Sequence, residues 1–195
     1  MDNTVGSPQH DIILGTLLGD GFLEKNGKNF RLVIDHSLNQ ISYVKWLKSQ
    51  LQDFKSSVVI KKRFDSRVGK TYNHCILRTE SSRLLDNYSE IVYRGKSKKM
   101  IPKNLPEIIN GQILAIWIMD DGYKRNDCNA LRLNTQSFSY EEHKLIQKAL
   151  QSISIESTIQ RHKNGFVIYI PSRSMNKIRE TVNPYIIPEM KYKIA

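Results

Sequence analysis

The sequence predicts an α+β protein built from two pseudo-symmetric halves, each running α-β-β-α-β-β-α. Three observations carry that prediction. An apolar run ending in Asp-Gly occurs twice, the hydrophobic period switches between helix and strand in the same order after each run, and a proline-bearing segment separates the two series. Residues 13–21 read ILGTLLGDG and residues 114–122 read LAIWIMDDG, each followed by an aromatic, Phe22 or Tyr123. Asp121 lies 101 residues after Asp20 (121 − 20), and the same interval carries Arg31-Leu32 onto Arg132-Leu133. A repeat of only two units reads as a pseudo-dimer, not a solenoid.

Each apolar run reads as a helix buried on nearly all sides. Gly15 and Gly19 leave a smooth face at spacing four, which allows a second helix to approach closely. Gly21 and Gly122 are expected at the left-handed position that ends a helix, placing Asp20 and Asp121 in the last turns. The alternating stretches FRLVIDHS and ALRLNTQS then read as half-buried strands, with Leu32 and Ile34, or Leu133 and Thr135, toward the helices. Ile41, Val44, Leu47, Leu51 and Phe54 share one helical face, as do Leu145, Ile146, Ala149, Leu150 and Ile153. Hairpins follow. Val58 to Phe64 and Thr71 to Thr79 flank a polar turn at Asp65 to Lys70, whereas Ile155 to His162 and Phe166 to Ile170 flank Lys163-Asn164-Gly165, whose Asn-Gly suits a tight turn. A last helix per half covers about residues 81–92 and 172–182. The first half is taken as 10–105 and the second as 111–195, joined through 95–111 with Pro102 and Pro106.

Lys and Arg total 30 against 19 Asp and Glu, a formal charge of +11. So large a surplus on a small chain points to a polyanion, because each phosphate neutralised releases counterions. Charge alone does not separate a nuclease from a ribosomal protein or from a merely basic soluble one. Cys75 and Cys128 are too few for a disulfide framework or zinc site. No apolar run is long enough for a membrane span. The polar start, Met1 to His10, lacks a signal or presequence pattern, so the chain is expected to work where it is encoded, in an organelle or the bacterial cytoplasm. Abundant Ile and Lys hint at an AT-rich genome.

A carboxylate at a helix C-terminus faces the negative end of the dipole and costs a few tenths of a kcal/mol or more. One Asp-Gly commonly just ends a helix; two at matched positions argue for a use other than stability. A divalent cation reverses the sign, since carboxylates and helix-end carbonyls together form a hard-oxygen site. Parallel packing of the two helices would bring Asp20 and Asp121 together, and close carboxylates repel unless a metal or proton lies between them. Metal-activated water is then the expected nucleophile.

These residues resemble the LAGLIDADG homing endonucleases, specifically the two-motif monomeric branch encoded within introns. LNTQSFSYEE at 133–142, IPKNL at 101–105 and YIIPEMKYKI at 185–194 are similar to stretches of that family, so the likeness runs from about residue 10 to 194. It implies paired motif helices at the interface between halves and antiparallel sheets forming a saddle on the major groove. It also implies Asp20 and Asp121 as metal ligands assisted by the carbonyls of Gly19 and Asp120. Lys99 and Lys193 match the basic residues lining the two catalytic sites, where a cation stabilises charge or orients water. The implied cofactor is Mg²⁺, with Mn²⁺ as a substitute, and the implied state is a monomer. Ile116 and Asp120 stand where small packing residues occur in the first motif, so the two motifs are not equivalent.

On the sheets, Arg31, Val33 and Asp35 in the first half, and Arg132, Asn134 and Gln136 in the second, face away from the helices. Arg suits guanine O6/N7 and Asn or Gln suits adenine N6/N7. Lys61, Arg63, His74 and Arg78, with Thr158, Gln160, His162 and Tyr169, fall on the same faces of the hairpins. A solvated strand face has a similar composition. The two halves differ in side chains, which implies a non-palindromic duplex target. His36, His74 and His162 lack metal-ligand spacing and read as contacts or surface residues. The reading is therefore a metal-dependent DNA endonuclease making a staggered break; the alternatives are an intron maturase that binds RNA on the same scaffold and a non-enzymatic DNA-binding regulator.

Overall fold

The computed structural model describes residues 7–94 and 98–195. One unit ends at Ser89 and a second begins at Glu90. The first contains α1 (Ser7–Leu18), β1 (Phe22–Asn26), β2 (Asn29–Ser37), α2 (Ile41–Gln50), β3 (Ser56–Asp65) and β4 (Lys70–Thr79). Helix α3 (Asp86–Val92) crosses the boundary. In the second unit a short ribbon, β5 (Tyr93–Arg94) with β6 (Lys98–Lys99), precedes α4 (Leu105–Ile108) and α5 (Gly111–Asp121). There follow β7 (Gly122–Lys124), β8 (Leu131–Leu133), α6 (Tyr140–Ser152), β9 (Thr158–His162), β10 (Gly165–Ile170) and α7 (Met175–Val182). From α1 and from α5 onward, the order is the expected α-β-β-α-β-β-α.

Both four-stranded sheets are antiparallel and share one topology, β1-β2-β4-β3 and β7-β8-β10-β9. Alternation explains which face each covers. In the first sheet Leu32, Ile34, Cys75 and Leu77 are buried with Tyr43, Val44 and Leu47 of α2 and with Leu51 and Phe54 beyond it. In the second, Leu131, Leu133, Ile168 and Ile170 are buried with Ile146, Ala149 and Leu150 of α6. Each fully buried Leu or Ile contributes about 1.5–3 kcal/mol. Helix α6 starts at a capping box: Ser139 Oγ accepts from the Glu142 N–H, and a Glu142 carboxylate oxygen accepts from the Ser139 N–H at 2.7 Å.

Of the expected linker 95–111, Gly95, Lys96 and Ser97 lie outside the described residues. The rest is tied down. The Ile101 N–H donates to Glu142 Oε1 at 3.2 Å, Ser152 Oγ donates to the Pro106 carbonyl at 2.9 Å, and Asn110 Oδ1 caps α5 through the N–H groups of Gln112 and Ile113.

Three local expectations are corrected. Gly122 is extended at φ −71°, and Gly21 is not among the glycines of positive φ, so neither supplies a left-handed cap. Crowding requires glycine there instead: a Cβ on Gly122 would sit 2.5 Å from the Ile118 carbonyl oxygen, and one on Gly21 2.9 Å from that of Thr16. Helix α1 ends at Leu18, so Asp20 lies two residues past it, while Asp121 is the last residue of α5. The stretch ALRLNTQS yields only a three-residue strand: the Asn134 N–H still donates to the in-register Asp121 carbonyl at 3.1 Å, but the chain then turns, with the Thr135 N–H donating to the Leu133 carbonyl at 3.0 Å and the Phe138 N–H to that of Thr135 at 3.1 Å. No helix among the described residues is long and apolar enough to cross a membrane.

Candidate active site and nucleic-acid interface

The two Asp-Gly ends are furnished differently. After α1, the Gly19 N–H donates to the Gly15 carbonyl at 3.2 Å and the Gly21 N–H to that of Thr16 at 2.8 Å, closing a tight turn with Asp20 at its tip. The Asp20 side chain is 46% exposed, and its Oδ2 lies 3.6 Å from Nδ1 of His36. That histidine, expected from its spacing to be a contact or surface residue, is not at the surface. It is buried on the inner face of β2, edge-on to Tyr43 at 5.3 Å. The separation exceeds a good hydrogen bond, so the contact is electrostatic and attractive when the ring is protonated.

In the second unit the cation is built in. Lys193, in a 3₁₀ turn over Pro188–Lys193, is only 7% exposed, and its Nζ donates to the carbonyls of Met119 at 2.5 Å and Asp120 at 2.9 Å. Helix-end carbonyls lack intrahelical donors and carry the negative end of the dipole, so the ammonium satisfies both needs. Asp120 is buried, whereas Asp121 is half-buried. Lys99 is half-buried at the end of β6, opposite Tyr93.

The outward face of the first sheet carries Arg31, Asp35, Lys61, Arg63, His74 and Arg78. They are not independent. Arg31 pairs with Glu24, its cross-strand neighbour. Asp35 accepts from Arg63 Nη2 at 2.9 Å and contacts His74 Nδ1 at 2.8 Å. Lys61 is exposed, and Arg78 lines a cavity of about 390 Å³ with Arg31 and Lys55.

On the second sheet, register aligns Tyr123, Arg132, Tyr169 and Thr158 in one row across four strands. Arg132 Nε is buried without a protein acceptor, which leaves it a donor to give. Gln160 and His162 extend the same strand, half-buried. Asn134 and Gln136 lie past the end of β8, in the turn before α6. The sequence reading missed Arg125, which stacks over Tyr169 at 6.0 Å and pairs with Asp127. The hydrogen bond from Arg125 holds the Asp127 carboxyl well below the usual carboxylate range and raises the guanidinium in turn. At the hairpin tip of the first sheet, Arg67 likewise lowers Asp65. A cross-strand aromatic row is visible in sequence only once register is known. Burial raises the Cys75 thiol, and Cys128 is exposed; both are free.

Residues 10–178 match the LAGLIDADG DNA endonuclease family. The chain is similar, at 34% identity over 215 aligned positions, to the cytochrome b mRNA maturase bI2 of Saccharomyces cerevisiae. That alignment spans all of this chain and half the length of the yeast protein. It is 27% identical to the DNA endonuclease I-ChuI of Chlamydomonas applanata, covering 96% of this chain and 94% of the other. Among solved structures, the homing endonuclease I-WcaI bound to its DNA recognition sequence superposes with a TM-score of 0.89 at 28% identity, covering 98% of this chain and 88% of that one.

Proposed function

The chain belongs to the LAGLIDADG DNA endonuclease family, and from that premise we propose that it is a site-specific homing endonuclease. It hydrolyses both strands of a long, non-palindromic duplex to leave a staggered break, acting as a monomer in the service of intron mobility. The observation that carries this reading is the likeness to DNA-bound I-WcaI over 98% of the chain. The compartment is proposed as that in which the chain is encoded, an organelle or the bacterial cytoplasm.

The donor chemistry fits a hard divalent ion, Mg²⁺ with Mn²⁺ as substitute. Asp20 is a part-exposed carboxylate at a turn tip, and Asp121 ends a helix, where the terminal carbonyls carry the negative end of the dipole. In this proposal Asp20 and Asp121 hold metal, with the Gly19 and Asp120 carbonyls as auxiliary oxygens. When bound, a divalent ion polarises the scissile phosphate and lowers the pKa of the attacking water. Lys193 neutralises the dipole end beside Asp121 and holds that end rigid; one lone pair of the Asp120 carbonyl is thereby taken. His36 orients the Asp20 carboxylate from its buried side. Lys99 is assigned the corresponding basic role toward the phosphate. The two sheet faces supply the base and phosphate contacts named above, Arg31 and Arg78 on one, Arg132, Thr158, Gln160, His162 and Tyr169 on the other.

A second reading, an intron maturase acting on RNA, is favoured by the 34% identity to the yeast bI2 maturase. One experiment separates them. The purified chain is incubated with a duplex joining the two exons that flank its intron, with Mg²⁺ or EDTA. Mg²⁺-dependent cutting of both strands at one position supports the endonuclease. No cutting, together with faster splicing of the intron RNA, overturns it for the maturase.

A further inference from the structure

Asp35 stands at the centre of a side-chain triad that joins three strands on the first sheet's outward face. Its carboxylate lies on β2, Arg63 on β3 and His74 on β4. One oxygen, Oδ2, accepts from Arg63 at 2.9 Å; the other, Oδ1, meets His74 Nδ1 at 2.8 Å. Exposure falls inward in the same order: the side chain of Arg63 is 63% exposed, that of His74 23% and that of Asp35 16%. Arg63 and His74 both open onto a cavity of about 340 Å³ beside Tyr72 and Phe64, and Asp35 does not line it. The acid sits behind, and its two partners face out.

The chemistry fixes what each partner offers. A carboxylate only accepts, so the proton between Asp35 and His74 belongs to Nδ1, and in the neutral ring Nε2 is left as an acceptor. In the major groove, only adenine N6 and cytosine N4 present a donor to such an atom. Arg63 spends one Nη2 hydrogen on Asp35 and keeps the others, which match the O6/N7 pair of guanine. A bare carboxylate on a surface that meets phosphates is repelled. One that holds a guanidinium and an imidazole in fixed rotamers lowers the ordering lost on binding.

We propose that Asp35 is a positioning residue for base recognition: it does not read the target itself, but aims Arg63 at a guanine and the acceptor nitrogen of His74 at an exocyclic amine. The assignment rests on the endonuclease reading, in which this sheet meets duplex DNA. It makes Asp35, Arg63 and His74 one specificity unit covering a single base pair or two adjacent ones.

The test is selection from a duplex library with a randomised core, using the full chain in EDTA, followed by sequencing of the bound pool. The wild type is expected to enrich a long motif. Arg63→Ala and His74→Ala should each flatten a preference of roughly 5- to 100-fold at one position, and Asp35→Ala should flatten those same positions and no others. The isosteric Asp35→Asn gives a sharper signature that a merely structural role does not produce. Its amide NH₂ donates to Nδ1 and moves the ring proton to Nε2, so that at the His74 position cytosine, which presents only a donor, is lost and guanine or thymine, which present only acceptors, are gained. Asp35→Ala erasing a base pair that both partner variants keep would mean that Asp35 reads a base directly, and overturns the proposal. So does an unchanged profile, or a uniform decline at every position. A wild-type pool with no enriched motif would instead overturn the DNA reading beneath it.

Discussion

The two units share an element order and a sheet topology but solve the same electrostatic problem in opposite ways. In the first, α1 stops at Leu18 and Asp20 projects from a turn, 46% exposed, with the imidazole of His36 at 3.6 Å. In the second, α5 runs through Asp121 and a buried ammonium, Lys193, fills the helix-end carbonyls of Met119 and Asp120. The sheets differ too. The first ends in a hairpin of two ten-residue strands, the second in strands of five and six. Duplication therefore preserved the frame while the ends of the two motifs diverged, and unequal ends predict unequal contributions to one reaction.

The largest expected effect breaks the comparison at its acids. Asp20→Asn and Asp121→Asn each remove the charge of a proposed metal ligand while keeping shape. Each should lower double-strand cleavage on the order of 10³-fold or more, from several kcal/mol of lost metal-derived stabilisation, with duplex affinity retained. Strand-resolved gels sharpen the result. If each unit serves its own strand, the two variants nick opposite strands; if the metal is shared, both variants lose both cuts. Normal cleavage by either would remove that residue from the site.

Next comes the internal cation. Lys193→Met keeps the stem and deletes the donor, leaving two buried carbonyls unsatisfied, at about 1–3 kcal/mol. Urea unfolding should read that loss. The opposite charge pattern predicts that His36→Gln, in the other unit, changes stability less and alters the metal dependence of cleavage more. A Lys193 variant as stable as the parent would show that water replaces the ammonium at no cost.

The glycines rank below. Gly122→Ala places a Cβ 2.5 Å from the Ile118 oxygen, and Gly21→Ala places one 2.9 Å from that of Thr16. Both overpack, at about 1–3 kcal/mol, and the shorter approach makes the second unit the more sensitive. Equal unfolding midpoints for the two variants would contradict that order.

These glycines also mark where the sequence stopped being informative. An Asp-Gly at a helix end looks the same whether glycine is needed for a left-handed turn or for a close approach, because local sequence encodes φ preference but not the carbonyl four or five residues back. The alternation of Leu32 with Ile34, and the spacing of Val44 and Leu47, were legible because burial of one face is a periodic, local demand. Strand β8 was overextended for the converse reason. Residues 134–136 alternate well enough, yet the chain turns after Asn134, with the Thr135 N–H donating back to Leu133 and the Phe138 N–H to Thr135. His36 reads in sequence as a contact or surface residue because ligand spacing is judged along the chain, whereas β2 folds it back beside Asp20. Asp35 reads in sequence as one more polar residue on an outward face. Only the cross-strand register reveals that it holds Arg63 and His74.

The smallest effect lies in two exposed ion pairs, one per sheet. Arg125 holds the Asp127 carboxyl below its ordinary value of 3.8 mainly through a side-chain hydrogen bond, and Arg67 does the same for Asp65. A carboxyl depressed in the folded state stabilises it above the unfolded value and loses that contribution as pH falls below about 3.8. Each pair has one well-solvated partner, Arg67 in one and Asp127 in the other, so salt screens both and the shift in unfolding midpoint is small. Asp127→Asn and Asp65→Asn should each lower the midpoint slightly at neutral pH, and the difference from the parent should shrink as pH drops past that value. The pairs differ in their surroundings. Arg125 also stacks on Tyr169 in the row with Arg132, whereas the Asp65–Arg67 pair sits at a hairpin tip. Asp127→Asn should therefore also change the base preference of the second sheet, an effect with no counterpart in Asp65→Asn. Identical selection profiles for the two would reduce Arg125 to a surface charge.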